Sequence, residues 1–172
     1  MQYTGKYKSP LGNILLAADE KGLTGLWFEG QKYFARCLDK EHEEKNLPVF
    51  RDAKRWLDTY FTGKEPNFKL PLHFTGTSFQ NEVWEILYTI PYGKTTTYGE
   101  IARLLAQKKG LAQMSGAVGH NPISIIIPCH RVVGADGSLT GYAGGIDRKI
   151  KLLELEGALQ DGFFVPKKST AP

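Results

Sequence analysis

From Gln2 to about Glu29 the chain alternates short apolar or aromatic runs with turn residues. The runs "QYTGKYKS", "GNILLAAD" and "GLTGLWFE" are separated by Ser9-Pro10-Leu11-Gly12 and by Lys21-Gly22, which predicts three strands in an antiparallel meander. The period then changes. In "VFRDAKRWLDTYFTG" the residues Val49, Ala53, Trp56, Leu57 and Tyr60 recur at helical spacing before Gly63, so an amphipathic helix is expected, its aromatic stripe facing a core. The charged run "DKEHEEKN", Asp39 to Asn46, lies between the two patterns and reads as a solvated loop or helix end.

Two prolines in "KEPNFKLPLHF" mark Pro66 to Gly76 as a linker. Beyond it the pattern is helical. Ser78 or Thr77 caps a helix containing Phe79, Val83, Trp84, Ile86 and Leu87, closed by Pro91-Tyr92-Gly93. "TTTYGEIARLLAQ" follows, with Thr97 as N-cap and Glu100 as its capping-box partner. After the turn "KKG" comes "LAQMSGAVGHNP", a helix expected to be cut short at Ser115-Gly116. Two short helices around a glycine-containing turn fit a helix-turn-helix, a pattern also common in plain bundles. The last helix, in "GGIDRKIKLLELEG", starts near Asp147, uses Ile150, Leu152, Leu153 and Leu155 as its apolar face, carries Glu156 and stops at Gly157. The expected fold is an α/β N-terminal domain of antiparallel strands with a helix, residues 1–70, and a mainly helical C-terminal domain with a helix-turn-helix, residues 71–172. The tail "PKKSTAP" is expected to be disordered.

At 172 residues and 41% hydrophobic content the chain buries a core without staples. Cys37 and Cys129 form no disulfide framework, and reduced thiols in a cytoplasmic setting are expected. No charged and apolar leader opens the chain, and no apolar window approaches membrane-spanning length, so no membrane partner is expected. A net charge of +4 suits a polyanionic partner but is modest for a dedicated nucleic-acid binder.

The chemistry gathers at "SIIIPCHRVVG", Ser124 to Gly134. An apolar run, read as a buried strand ended by Pro128, leads directly to Cys129, His130 and Arg131. Thiolate, not thiol, is the nucleophile, and a neighbouring imidazole can take the proton; since sequence neighbours often point apart, a water between them completes such a relay. His130 and a nearby helix end are expected to lower the Cys129 pKa. The plain alternative is a small buried hydrophobe. Cys37 with His42, and the distant His73, match no zinc spacing, so neither metal nor other cofactor is expected.

"NPISIIIPCHRVVG" followed by "GSLTGYAGGIDRKIKLLELEG" resembles the active-site block of the O6-alkylguanine-DNA alkyltransferases. The resemblance covers residues 77 to 157, including "FQNEVWEIL" and "IPYGKTTTYGEIA", and the N-terminal half is loosely similar to that family's ribonuclease-H-like domain. It implies direct DNA repair by a monomer acting on double-stranded DNA: irreversible, single-turnover transfer of the alkyl group from O6-alkylguanine, and from O4-alkylthymine, to cysteine. It assigns Cys129 as acceptor, His130 as the group activating it through water, Glu156 as the orienter of His130, and Asn121 as a hydrogen-bonding brace of the site. The target base has to leave the duplex to reach the sulfur. Tyr98 falls where the family presses on the phosphate at the flipped nucleotide. Tyr142 with Gly144 belongs to a loop over the alkylated base, Val132 and Ser124 to the substrate pocket, and Lys94, Lys108 and Lys109 to phosphate contact. The chain departs from the family at one position: the recognition-helix arginine that fills the space of the flipped base is matched by Ala112, and no arginine lies between Arg103 and Arg131. Gln113 or Met114 is expected to wedge instead. Two other readings remain: a non-catalytic lesion-binding protein of the same fold, and a multiple-turnover thiol hydrolase using Cys129 and His130.

Overall fold

The computed structural model describes residues 1–105 and 110–166; Lys108, Lys109 and the tail beyond Pro166 lie outside the described residues. The chain divides into two compact units, one comprising Met1–Thr75 with Pro122–Ser124, the other Gly76–Asn121 with Ile125–Pro172.

In the first unit β1 (Gln2–Ser9), β2 (Gly12–Asp19) and β3 (Gly22–Phe28) form the expected antiparallel meander, and a fourth strand, β4 (His42–Glu44), gives the sheet order β3-β2-β1-β4. The first turn is tied by the Ser9 hydroxyl, which donates to the Gly12 carbonyl at 2.6 Å. Gly12, at φ 124, takes a conformation that a side chain would disfavour. Helix α1 (Pro48–Phe61) buries Phe50, Ala53, Leu57 and Tyr60. The Phe50 ring packs where a Cβ on Gly5 would stand 3.0 Å away, so the missing side chain lets the helix settle on the sheet. Phe50 thus takes the core place expected for Val49, and Trp56 is half-buried, stacked on Tyr60 at 5.5 Å.

Two expectations are corrected here. His42–Glu44 in the charged run is not loop or helix end but a short strand, β4, parallel to β1. Its backbone completes the sheet edge while all three side chains stay in solvent, a charged edge that discourages further pairing. Residues 71–73, assigned above to the second domain, pair with the first: Leu23 N–H donates to the Pro71 carbonyl and His73 N–H to the Leu23 carbonyl, both at 2.8 Å. Further along β3, Leu26 N–H donates to the Pro122 carbonyl at 2.8 Å and Ser124 N–H to the Leu26 carbonyl at 3.0 Å, which is why a three-residue piece of the later sequence belongs to this unit.

The second unit is mainly helical. Helix α2 (Ser78–Tyr88) starts with a full capping box: the Gln80 amide donates to the Thr77 hydroxyl at 3.1 Å, and the Thr77 amide to the Gln80 side chain at 3.0 Å. Helix α3 (Tyr98–Leu104) has half of one. Thr97 accepts from the Glu100 amide at 3.2 Å, but the Glu100 carboxylate turns to Arg103 at 2.9 Å instead of reaching back. Helix α4 (Leu111–Gly119) runs unbroken through Ser115 and Gly116, contrary to the interruption expected there. Packing outweighs the weak propensity: Met114, Ala117 and Val118 are buried, and Trp84 Nε1 on α2 donates to the Ala117 carbonyl at 2.9 Å.

Strand β5 (Thr96–Thr97) pairs in parallel with β6 (Val132–Val133), joining the start of α3 to the residues just after the cysteine. Helix α5 (Ile146–Leu155) closes the unit, with Leu153 in a cluster with Val133, Leu139 and Ala158.

Candidate active site

The apolar run before Cys129 is a buried turn rather than a strand. Ile125 has a φ of 70, a rare conformation for a β-branched residue that no strand would hold. The turn is braced from inside: Asn121 Nδ2 donates to the Ile127 carbonyl at 2.7 Å. Pro128, at φ −82 and ψ 63, sits at the centre of an inverse γ-turn closed by Cys129 N–H to the Ile127 carbonyl at 2.8 Å. Proline's fixed φ favours that geometry. Cys129–Arg131 then form one turn of 3-10 helix, with three residues per turn, so the three side chains leave in different directions.

That divergence lets consecutive residues serve different partners. His130, fully buried, places Nε2 2.6 Å from Glu156 Oε2. Arg131 Nε donates to Glu156 Oε1 at 2.7 Å and its Nη1 to the Ile90 carbonyl at 2.7 Å. Glu156 is the C-cap residue of α5, just past the helical face on which it was expected. Cys129 and His130 share no direct hydrogen bond, and His130 Nδ1 is buried without a partner among the described residues.

Lys149 completes the centre. Fully buried, it donates from Nζ to the Val132 carbonyl at 2.6 Å and the Thr140 carbonyl at 2.8 Å, tying α5 to β6 and to the loop before Tyr142. The buried Tyr142 ring meets His130 edge-on, with centroids 6.3 Å apart. Gly144 is required beneath that ring, because a Cβ there would stand 2.6 Å from Tyr142 Cε2. Tyr98, half-buried at the first position of α3, donates to the Thr140 carbonyl at 3.4 Å.

Electrostatics separate the groups. Burial works against the Glu156 charge, but the hydrogen bonds and charges of His130 and Arg131 outweigh it and hold the carboxyl down at about 2. Burial, helped by the charges of Arg131 and Lys149, pushes the His130 pKa down despite the carboxylate, so the imidazole is neutral. A neutral ring donating from Nε2 to a carboxylate carries its lone pair on Nδ1. The thiol reverses the expectation: burial pushes the Cys129 pKa up, only partly countered by a hydrogen bond from the Asn121 side chain and the Lys149 charge. Desolvation of the thiolate is the larger effect in this buried position. Lys149 is itself lowered to about 8 by burial, and Tyr98 raised to about 12 by burial and the neighbouring Cys129 charge.

These shifts have a measurable sign. Below its ordinary value of 6.5 the unfolded His130 binds a proton that the native ring resists, and below 4.5 the unfolded Glu156 does the same until the native carboxyl titrates at about 2. In both windows the unfolded chain holds more protons, so stability falls as pH falls. Differential scanning fluorimetry is expected to show a melting temperature declining from pH 7 to pH 4; a flat profile would remove the buried relay as a determinant of stability.

The structure therefore brings together Cys129, His130, Glu156, Asn121, Tyr98, Tyr142, Gly144 and Val132. Ser124 is buried in the first unit, on the segment paired with Leu26. Gln113 is exposed on α4. Met114 is corrected from wedge to core: with 0% of its surface exposed it fills the helical unit and has nothing to insert into a duplex. Lys94 is exposed. Sequence reading missed Lys149 and the grip of Arg131 on Glu156. A signal for the former was present, since Lys149 stands three and four residues before Leu152 and Leu153, on the apolar face of α5.

Comparison with known proteins places this geometry. Residues 2–74 match the 6-O-methylguanine DNA methyltransferase ribonuclease-like domain, and residues 78–158 match the DNA binding domain of the same family. The methylated-DNA–protein-cysteine methyltransferase of Methanosarcina acetivorans is 47% identical over 156 residues, covering 91% of this chain and 99% of that one. Two crystal structures, Mycobacterium tuberculosis O6-methylguanine methyltransferase and Mycobacterium tuberculosis OGT in complex with DNA, superpose with a TM-score of 0.80 each. They are 40% and 41% identical, covering 98% and 96% of this chain and 97% and 96% of theirs. The chain belongs to the 6-O-methylguanine DNA methyltransferase family.

Proposed function

We propose that this chain repairs alkylated DNA directly, moving the alkyl group of O6-alkylguanine in double-stranded DNA onto Cys129 in a single irreversible turnover. The observation that carries the reading is the buried line from Arg131 through Glu156 to His130, the residue that follows Cys129 in the chain, with the far ring nitrogen, Nδ1, buried and unbonded among the described residues. A buried acceptor of this kind needs a hydrogen-bond donor, and a bridging water from the thiol supplies one.

In the reaction the sulfur attacks the alkyl carbon, the new S–C bond forms as the C–O6 bond breaks, and guanine leaves with the electron pair. The thiol proton passes through the water to Nδ1; the leaving guanine anion takes up one proton from water and the imidazolium returns its proton to water, so alkylguanine and thiol become guanine and thioether with no net proton gained or lost. A raised thiol pKa fits a suicide reaction. Cys129 rests as a protonated, protected thiol and becomes thiolate only as His130 accepts its proton, while Asn121 and Lys149 stabilise the charge that appears on sulfur. Nothing in this series of steps returns the thioether to a thiol.

The helices α3 and α4 form the helix-turn-helix in this reading, with α4 as the element facing DNA and the exposed Gln113 as the residue that enters the space of the extruded base. Tyr98 at the head of α3 is close enough to Cys129 to feel its charge, and in this reading presses on the phosphate of the extruded nucleotide. Lys94 offers one phosphate contact, so affinity should fall with salt.

Incubation with a duplex carrying one O6-methylguanine, followed by quantitation of repaired guanine, is expected to give a burst of one equivalent per protein and then no further product. Continued turnover would favour a thiol hydrolase; binding without loss of the lesion would favour the non-catalytic reading.

A further inference from the structure

Glu156 has more partners than the orientation of one imidazole requires. Its Oε2 faces His130 Nε2 at 2.6 Å, while Oε1 accepts from Arg131 Nε at 2.7 Å and from the Gly93 amide at 3.4 Å. Arg131 is held in turn. Its Nη1 donates to the Ile90 carbonyl at 2.7 Å, its guanidinium lies 5.7 Å from the centre of the Tyr92 ring, and its side chain is 9% exposed. We propose that Arg131 is a positioning residue for the transfer: by binding one oxygen of Glu156 it keeps the carboxylate ionised and so fixes His130 in the tautomer with hydrogen on Nε2 and the lone pair on Nδ1.

The ring tautomer depends on which partner owns the proton between Glu156 and His130. A carboxyl group buried against a neutral imidazole alone is disposed to take up a proton, because desolvation penalises its charge. Protonated, it would donate to Nε2, and the ring hydrogen would then have to sit on Nδ1. That is the wrong tautomer for accepting the thiol proton. Among the described residues no group bonds His130 Nδ1 to make the choice from the other side of the ring. A guanidinium stays charged at all working pH values and binds the carboxylate through directed N–H groups, so it makes the ionised form the stable one.

Arg131 also acts on His130 through space. Among the described residues, the charged and titratable groups that act on the ring are Glu156 at the end of α5, Lys149 from α5, Tyr142 from its loop and Arg131 from the same 3-10 turn, with Cys129 its neighbour in the chain. Of these Arg131 and Lys149 oppose a proton on the imidazole, and Glu156 favours it. Losing Arg131 removes one opposing charge, so the His130 pKa should rise and the acid side of the rate profile should move to higher pH.

This inference rests on the alkyl-transfer reading and is tested apart from it. In the wild-type protein, 15N NMR of labelled histidine should show His130 as the Nε2–H tautomer at pH 7; the Nδ1–H form would overturn the proposal with no variant involved. In Arg131→Gln, transfer from O6-methylguanine duplex should slow on the order of 10²-fold, with the acid limb displaced upward and Nδ1–H signal appearing. Arg131→Lys, which keeps the charge but not the fork, should recover part of the rate and most of the profile. A folded Arg131→Gln protein with the wild-type limb and wild-type tautomer would sink the proposal even if its rate were lower. A wild-type protein that transfers nothing would instead defeat the functional reading, and the NMR result would still decide the tautomer.

Discussion

Cys129→Ser is expected to slow removal of O6-methylguanine from duplex DNA by on the order of 10⁴-fold or more, with melting temperature and DNA affinity little changed. The large effect comes from chemistry, because a neutral hydroxyl is a poor nucleophile toward an alkyl carbon and His130 is too weak a base to ionise it. The small effect comes from structure. Asn121 already offers the buried position a hydrogen-bond donor, and the inverse γ-turn around Pro128 depends on backbone, not on sulfur. Single-turnover kinetics with gel-shift binding separates the two. A serine protein that clears the lesion at the wild-type rate would show that the buried sulfur is not the acceptor.

The second large effect is expected for Glu156→Gln. Its carboxylate is enclosed completely and neutralises Arg131, so the amide leaves a buried cation without a counter-charge, a loss of about 3–5 kcal/mol. At about 2–4 °C per kcal/mol for a chain of this size, the melting temperature should fall by roughly 10 °C. The amide must also face His130 with either a carbonyl or an NH2 group, and the NH2 orientation selects the unproductive ring tautomer. Transfer should therefore drop by about 10² to 10⁴-fold. Calorimetry with single-turnover kinetics reads both quantities. A variant that melts as the wild type does and reacts at its rate would mean that Glu156 neither supports the fold nor steers His130.

Much of the fold was legible because it is written in local chemistry. Strands β1 to β3 follow from apolar runs punctuated by Gly12 and Gly22, and α2 from the Thr77 and Gln80 box. That His130 and the distant Glu156 belong to one site was legible from a recognisable string of residues. What escaped depends on contacts distant in sequence. The strand β4 exists because β1 offers an edge to a charged segment with no strand pattern of its own. The run Ile125 to Ile127 reads as a strand by composition, yet the Asn121 brace and the positive φ of Ile125 fold it into a turn. Met114 on a weakly patterned helix reads equally as wedge or core until its burial is known. The thiol shift was misjudged because adjacency to His130 is visible in sequence, whereas the enclosure that dominates it is not.

The central claim is that the alkyl carbon ends on one particular sulfur. Incubation with a duplex bearing O6-(trideuteromethyl)guanine, followed by digestion and peptide mass spectrometry, locates that carbon directly. The account predicts one deuterated methyl group per chain, all of it on Cys129, with Cys37 unmodified. Label on Cys37, or loss of the lesion with both thiols unlabelled, would contradict it.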